Sequence, residues 1–206
     1  MKFGIYLLAA FSFIFTSCSS PRMAVAPQWK TAPERFTVII SEPYVANSDD
    51  VTDDFGDADV FKQWAAAYLD TALSEYSKIP HSVKIVDDAM FVMSPLPLED
   101  GSVDVPLPVK EKWEEIPGLT ILVHPLRFWR HESMCHNRDG CIGNKSINLK
   151  VHYTIVSLEN PNELAVLAHG SAYDKSSFTF AMTKGNWESV VEGIAKKLVE
   201  KTPLEK

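Results

Sequence analysis

A strictly alternating segment near the C-terminus constrains the fold most. Between positions 147 and 155 every second residue is apolar, and polar residues fill the gaps; the apolar set is Ile147, Leu149, Val151, Tyr153 and Ile155. Successive side chains of a strand point to opposite faces, so this pattern predicts a β-strand with one buried and one solvated face. The Asn160-Pro161-Asn162 sequence predicts a turn, and residues 164–173 predict the strand that returns.

Two other segments have helical spacing. In the first, apolar residues recur every three or four positions, at Phe61, Trp64 or Ala65, Tyr68, Ala72 and Tyr76. Pro80 ends this segment. In the second, Thr183 supplies an N-cap and Pro203 ends a segment whose inner face is Trp187, Val190 or Val191, Ile194 and Leu198. Both patterns predict amphipathic helices packed on a core.

The remaining apolar runs predict further strands at residues 35–40, at residues 83–86 with a continuation at 90–93, and at residues 119–129. Pro125 predicts an edge position or a bulge in the last of these. Residues 94–117 hold five prolines and predict extended chain that wraps the domain, with a helical turn at 109–115. This order predicts an α+β fold, a mainly antiparallel sheet with two principal helices packed on one face.

An acidic segment, residues 47–59, precedes the first helix. Aligning Gly56 with the sixth position of an EF-hand loop places Val51 at the first ligand position, so the calcium ligands fall out of register. We therefore interpret the segment as a solvated loop whose aspartates cap the helix and favour the positive end of its dipole.

The N-terminus has the pattern of an export signal. Lys2 is followed by an almost continuous apolar run over residues 3–15, then by Thr16, Ser17 and Cys18. A short basic region, an apolar region and small residues describe a secretory signal peptide. The run is shorter than the roughly 20 apolar residues that a membrane-spanning helix needs.

The cysteine directly after this run resembles the lipobox of bacterial lipoproteins. The resemblance implies that Cys18 becomes the lipidated first residue, anchored in the bilayer, and that Ser19 directs the protein to the outer membrane, facing the periplasm. We therefore expect a signal peptide at 1–17, a lipidated flexible tether at 18–34 and a single domain at 35–206. Phe15 stands where the lipobox prefers leucine, so the alternative is a plain secreted protein cut near this point.

The two other cysteines, Cys135 and Cys141, form an even pair in an exported chain and predict a disulfide that closes a small loop. The alternative is a metal site made by His131, Cys135, His136 and Cys141. The usual paired spacings of zinc ligands are absent, and adjacent Cys135 and His136 would reach one tetrahedral centre only with strain. The disulfide is the favoured interpretation, and we expect no cofactor.

The same loop and the strand before it concentrate basic and aromatic residues in an otherwise acidic protein. Loops held on a scaffold are where recognition residues tend to sit. We predict a partner-binding site at Arg127, Trp129, Arg130, His131, His136 and Arg138.

Composition and motifs limit the function classes. The net charge of −7 argues against nucleic acid as a partner. The sequence contains neither a G-x-S-x-G elbow nor an H-E-x-x-H motif. His169, Ser171 and Tyr173 would share one strand face with Asp174 on the other, so no catalytic arrangement is evident, and His169 is interpreted as a satisfied sheet residue.

The returning strands over residues 147–173, followed by Trp187 and an amphipathic C-terminal helix, resemble the small auxiliary lipoproteins of ABC-type transport systems. The resemblance implies a non-catalytic accessory or assembly subunit of an envelope complex, with an envelope protein as partner. Two alternatives stay open. One is an exported hydrolase whose site forms only in three dimensions, and the other is a carbohydrate- or ligand-binding module that uses the proline-rich segment 94–117 and Trp129 as a wall.

Overall fold

The computed structural model describes residues 23–47, 49–132, 145–160 and 163–206. Cys18, Cys135, His136, Arg138 and Cys141 lie outside these residues, as do the expected signal peptide and the first residues of the expected tether. The elements follow in chain order as β1 Met23–Val25, β2 Phe36–Ser41, β3 Tyr44–Val45, α1 Asp49–Phe55, α2 Ala58–Tyr76, β4 His81–Val86, β5 Phe91–Leu98, β6 Gly101–Pro108, β7 Leu119–Glu132, β8 Lys145–Asn160, β9 Glu163–Phe178 and α3 Lys184–Val199.

One sheet organises the domain, in the order β1-β9-β8-β7-β2-β4, with β3 also paired to β7. Strand β2 runs parallel to β4 and β7, and β3 runs parallel to β7, whereas β1, β9, β8 and β7 pair antiparallel. Helices α2 and α3 pack on one face of this sheet. The predicted α+β class with two principal helices on one face is confirmed.

Local sequence signals explain where the two long helices begin. The Asp57 carboxylate accepts a hydrogen bond from the Val60 N–H at 2.8 Å, which satisfies one of the free donors at the start of α2. At the start of α3 the Thr183 N–H donates to Oδ1 of Asn186 at 2.9 Å. The predicted capping role of the aspartate-rich segment is confirmed, and Thr183 occupies the predicted N-cap position.

The core between the helices and the sheet is centred on Trp187, which is completely buried. Its ring lies 5.2–5.7 Å, centroid to centroid, from the rings of Phe55, Phe61 and Phe128. The indole N–H donates to Oδ2 of Asp54 at 2.7 Å, so the buried polar atom of Trp187 has a partner. The predicted core role of Trp187 is confirmed.

A two-stranded hairpin, β5–β6, covers one end of the opposite face. It forms where the sequence predicts a proline-rich excursion around the domain. A second cluster of buried residues lies beneath it, made of Ile39, Met90, Phe91, Ile116, Leu122 and Val156. The hydroxyl of Thr154 donates to the carbonyl of Pro106 at 2.6 Å. The prediction of a solvated second face on β8 is therefore wrong at Thr154, which the hairpin buries, and also at Asn148, which is buried.

The expected tether is folded over much of its length. Met23–Val25 pairs with β9, and the Ala26 N–H donates to the carbonyl of Leu167 at 2.7 Å. Trp29 is 9% exposed and belongs to the core. The folded part therefore includes residues 23–34, because a short edge strand and one aromatic side chain attach them to the sheet. Three residues are too few to show the alternation of apolar and polar side chains that identifies longer strands.

Two further predictions need correction. The acidic segment is not a loop throughout, since Asp49–Phe55 forms helix α1, in which Asp50 is buried. Pro125 does coincide with a register shift between Val123 and Leu126, which is the predicted bulge. However, β7 has β8 on one side and β2 and β3 on the other, so it is not an edge strand.

Across the part of the chain that the structure describes, no helix is both long and apolar enough to span a membrane.

Candidate binding face

The sequence-predicted partner residues on β7 divide between the two sides of the sheet. After the bulge, Phe128 points into the helix-covered core, and alternation places Arg130 on that same side. Arg127, Trp129 and His131 lie on the opposite side of the sheet, away from the end that the hairpin covers. We call the part of this side that lies beyond the hairpin the open face; its residues on β7, β8 and β9 are Arg127, Trp129, His131, Ser146, Asn148, Lys150, Ser171, Tyr173, Lys175 and Ser177.

Two aromatic rings lie at the centre of the open face. The ring centroids of Trp129 and Tyr173 are 5.9 Å apart and their planes are inclined by 31°. Both side chains are half-buried, so each presents part of its ring to solvent. With Lys150 and Ser171 they line a shallow pocket of about 440 Å³. This volume is within the range of small-ligand sites, roughly 300–1,000 Å³.

Asn148 connects the two residues of this pair, through the hydroxyl of Tyr173 and the main chain of Trp129. It is opposite Trp129 in the β7–β8 register and only 3% exposed. Its amide nitrogen donates to the carbonyl of Trp129 at 3.2 Å and to the Ser146 side-chain and main-chain oxygens. Its Oδ1 accepts a hydrogen bond from the Tyr173 hydroxyl at 2.7 Å. A satisfied buried amide of this kind fixes the positions of the groups around it.

The charges on the open face are all positive. Arg127 and Lys150 are directly opposite each other on β7 and β8, and Lys175 is opposite Asn148 on β9. Within the described ranges these three exposed cations make no ion pair, and no open-face position is an aspartate or glutamate. The Arg127 guanidinium lies over the ring of Tyr44, 5.8 Å from its centroid.

Arg130 has a different environment from its neighbours. Its Nη1 donates to Oδ1 of Asp50 at 3.1 Å, its Nη2 contacts Glu132, and its guanidinium lies 5.6 Å from the centroid of the Phe178 ring. Burial alone would lower the pKa of Arg130, but the hydrogen bonds to Asp50 and Glu132 raise it overall. Arg130 therefore links β7 to α1 and does not share a surface with Arg127 and Trp129.

Three histidines lie at or beneath the boundary with the hairpin. Nδ1 of His152 is 2.5 Å from the carbonyl oxygen of Asp104. Burial lowers the pKa of His152; the hydrogen bond with Asp104 opposes this shift, and the charges of Lys150 and His124 add to it. Burial also lowers the pKa of His124, against the charge of Asp88, and the pKa of His169.

His169 differs from its sequence interpretation in one respect. It is a buried sheet residue, 8% exposed, but its Nδ1 has no hydrogen-bond partner among the described residues, so it is not satisfied. As expected, Asp174 lies on the other side of the sheet from His169, where it pairs with Lys197 at 2.9 Å.

The alternative metal site is tested only at one of its four residues. His131 is exposed at the end of β7, and the other three predicted ligands lie outside the described residues. Among the residues that are described, no group of three or more His, Cys, Asp or Glu side chains is placed to hold a metal ion.

Sequence reasoning did not single out Asn148 or Lys150, and it treated Tyr173 only as a member of a strand. The available signal was the alternation itself: Asn148 and Lys150 occupy the polar positions of the β8 pattern, and Tyr173 alternates onto the same side of β9. Which strand positions adjoin Trp129 depends on the β7–β8–β9 register, which a single sequence does not specify.

No protein-family model matches the sequence, and no curated protein matches it either. Among solved structures, the PelC dodecamer from Paraburkholderia phytofirmans matches with a TM-score of 0.38 and 11% identity, over 90% of this chain and 98% of that chain. A neuraminyllactose-binding hemagglutinin homolog from Helicobacter pylori matches with a TM-score of 0.33 and 9% identity, over 85% and 87%. The hypothetical protein CT253 from Chlamydia trachomatis matches with a TM-score of 0.39 and 10% identity, over 79% and 90%. These distant likenesses carry no argument about function, which rests on the geometry of the open face.

Proposed function

We propose that this protein is a lipid-anchored, non-catalytic binding protein of the cell envelope. It acts as an accessory subunit of an envelope complex and holds a component of that complex on the open face. The observation that carries the proposal is the Trp129–Tyr173 pair, which lies on the side of the sheet away from the helices and is linked through the buried Asn148, by the Tyr173 hydroxyl and the Trp129 main chain.

The composition of the open face supports recognition. Tryptophan, tyrosine and arginine are the residues that most often dominate binding energy at interfaces. Here Trp129 and Arg127 on β7 and Tyr173 on β9 lie on either side of β8 in one sheet, so binding would order few additional groups. Among the elements that the structure describes, the helices cover the other side of the sheet and the hairpin covers the far end of this side, which leaves the open face for a partner.

The position of the anchor also supports the proposal. Cys18 is five residues before Met23, and five residues span at most about 18 Å when fully extended. Met23 is paired with Gly170 on β9. Ser171 directly follows Gly170 along this strand and Tyr173 lies three positions after it, and both belong to the open face. Acylation at Cys18 would therefore keep the open face close to the membrane surface, where a component of an envelope complex would be found.

Site-specific photocrosslinking in intact membranes tests this function. A photoreactive amino acid replaces Lys175, exposed on the open face, or Lys196, exposed on α3. We expect a discrete crosslinked product from position 175 and none from position 196, because the two positions lie on opposite sides of the sheet. Equal yields from both positions, or no product from position 175, would contradict the proposal.

The anchor is tested separately by the substitution Cys18→Ser. We expect the variant to lose both membrane retention and labelling by a fatty-acid probe. Retention of both would show that the protein is attached to the envelope in another way.

A further inference from the structure

The pairing of Arg127 with Lys150 is unfavourable in the free protein. Directly opposite residues of antiparallel strands have Cβ atoms about 4.5–5.5 Å apart, and like charges in such pairs destabilise a sheet. Among the described residues, neither cation forms an ion pair with an aspartate or a glutamate. An anionic group placed between them would remove this repulsion, and a guanidinium offers paired N–H donors that match a carboxylate.

The same two cations adjoin the aromatic pair. Lys150 lines the pocket with Trp129, Ser171 and Tyr173, and Arg127 is two residues from Trp129 on the same side of β7. An occupant of the pocket therefore has to present an anionic group and an apolar face side by side. The faces of aromatic rings carry partial negative charge, which attracts C–H groups lying flat against them.

The polar character of the surroundings distinguishes between classes of occupant. The centre of a protein–protein interface is depleted in charged residues, and lysine is depleted across it. The open face instead has Lys150 and Ser171 in the wall of a shallow, small pocket, and a second lysine, Lys175, on the next strand. Nucleic acid is disfavoured because the chain as a whole carries a net charge of −7.

We infer that the open face binds an acidic saccharide chain. A carboxylate of the chain pairs with Arg127 and Lys150, and the C–H face of a sugar ring lies against Trp129 and Tyr173. The inference rests on the proposed function, because it names the component that the same face holds.

Calorimetric titration of the full-length protein in detergent with hexagalacturonate tests the inference. We expect saturable binding that weakens at higher salt, as expected for contacts between exposed charges. The double variant Arg127→Gln/Lys150→Gln should bind at least tenfold more weakly. The matched control, Lys78→Gln/Lys196→Gln, removes the same charge from exposed positions after α2 and on α3, and should bind within twofold of the original protein.

Three other probes decide between classes of ligand. Neutral maltohexaose should bind at least tenfold more weakly than hexagalacturonate, and equal binding would overturn the role of the charges. A hexaglutamate peptide or hexathymidylate that binds as tightly as hexagalacturonate would overturn the saccharide class.

The outcome is separable from that of the proposed function. If no saccharide binds while the crosslink from position 175 persists, the saccharide inference fails and the binding role of the open face stands. If the crosslink is also absent, both fail.

Discussion

The hydroxyl of Tyr173 donates a hydrogen bond to Oδ1 of Asn148 at 2.7 Å, reaching diagonally from β9 to β8. Asn148 is 3% exposed, and its amide nitrogen is already directed at Trp129 and Ser146. The hydroxyl on the Tyr173 ring and the main chain of Trp129 are thus connected to one buried side chain. The binding surface is therefore built into the sheet and does not depend on a loop.

The Tyr173→Phe variant tests this connection. It keeps the ring but leaves Oδ1 of Asn148 without the described donor, and an unsatisfied buried acceptor costs about 1–3 kcal/mol. We expect the free energy of unfolding, measured by urea titration, to fall by about that amount. Tyr44→Phe is the control, since Tyr44 is 55% exposed and surface substitutions change stability by about 0.5 kcal/mol or less. Equal effects of the two substitutions would show that the hydrogen bond contributes nothing specific.

Arg127 and Arg130 should behave oppositely, although they are three residues apart. Arg130→Met removes the partner of Asp50, whose side chain is 5% exposed, and should lower the free energy of unfolding by about 2 kcal/mol or more. Arg127→Met removes one of two facing cations and should leave stability unchanged or slightly raised while weakening the crosslink from position 175. Stability and crosslink yield measured on both variants check this division. A loss of stability in Arg127→Met equal to that in Arg130→Met would contradict it.

Gly193 should tolerate no side chain. A Cβ at this position would lie 1.5 Å from Oδ2 and 2.4 Å from Cγ of Asp174, whose carboxylate pairs with Lys197. Alanine is normally favoured over glycine inside a helix by about 1 kcal/mol, but overpacking costs about 1–3 kcal/mol, so Gly193→Ala should lower the melting temperature. Gly185→Ala, in the first turn of the same helix, would meet only the Thr183 hydroxyl at 3.7 Å and should not lower it. Similar melting temperatures for both variants would show that Asp174 moves freely.

Stability should depend on pH through the histidines at the hairpin boundary. Burial lowers the pKa of His124, His152 and His169 below the ordinary value of about 6.5. The unfolded chain then binds more protons than the folded one, so the stabilisation is complete above about pH 6.5 and is lost as the pH falls through the lower folded-state values. We expect the free energy of unfolding to fall between pH 7.5 and 5.5.

His152→Gln should reduce that pH dependence, and His131→Gln, at an exposed position, should leave it unchanged. The groups facing His152 are Lys150, His124 and Asp104, and Asp88 faces His124, with their Nδ1 and Oδ1 atoms 3.7 Å apart. The charges of Lys150 and His124 lower the pKa of His152, as burial does. A flat stability profile across this range would contradict the assignment.

Periodicity predicted most of the fold because the long elements satisfy one pattern throughout. The inner face of α3, from Trp187 to Leu198, and the apolar positions of β8 are buried as expected. It failed where a few residues decide the structure. Strand β1 has three residues, and helix α1 forms in a run of aspartates because Asp50 and Asp54 meet Arg130 and Trp187, which are far away in the sequence.

The candidate site was predictable only on one strand. A cluster of basic and aromatic residues on β7 was visible, but alternation separates Arg130 from Arg127 and Trp129, and the bulge at Pro125 sets which residues go to which side. Tyr173 and Lys150 join the site through pairing across β8 and β9. That pairing depends on register, and register is set by packing of the whole sheet.

The most direct test of the binding role is the yield of the crosslink from position 175 in two backgrounds. Trp129→Ala removes a ring of the open face, and Phe180→Ala removes a ring that is 89% exposed but lies beyond the end of β9. With folding of both verified by circular dichroism, the account predicts that the yield falls at least tenfold in Trp129→Ala and is unchanged in Phe180→Ala. An undiminished yield in Trp129→Ala, or an equal fall in both backgrounds, would contradict the assignment of the open face as the binding surface.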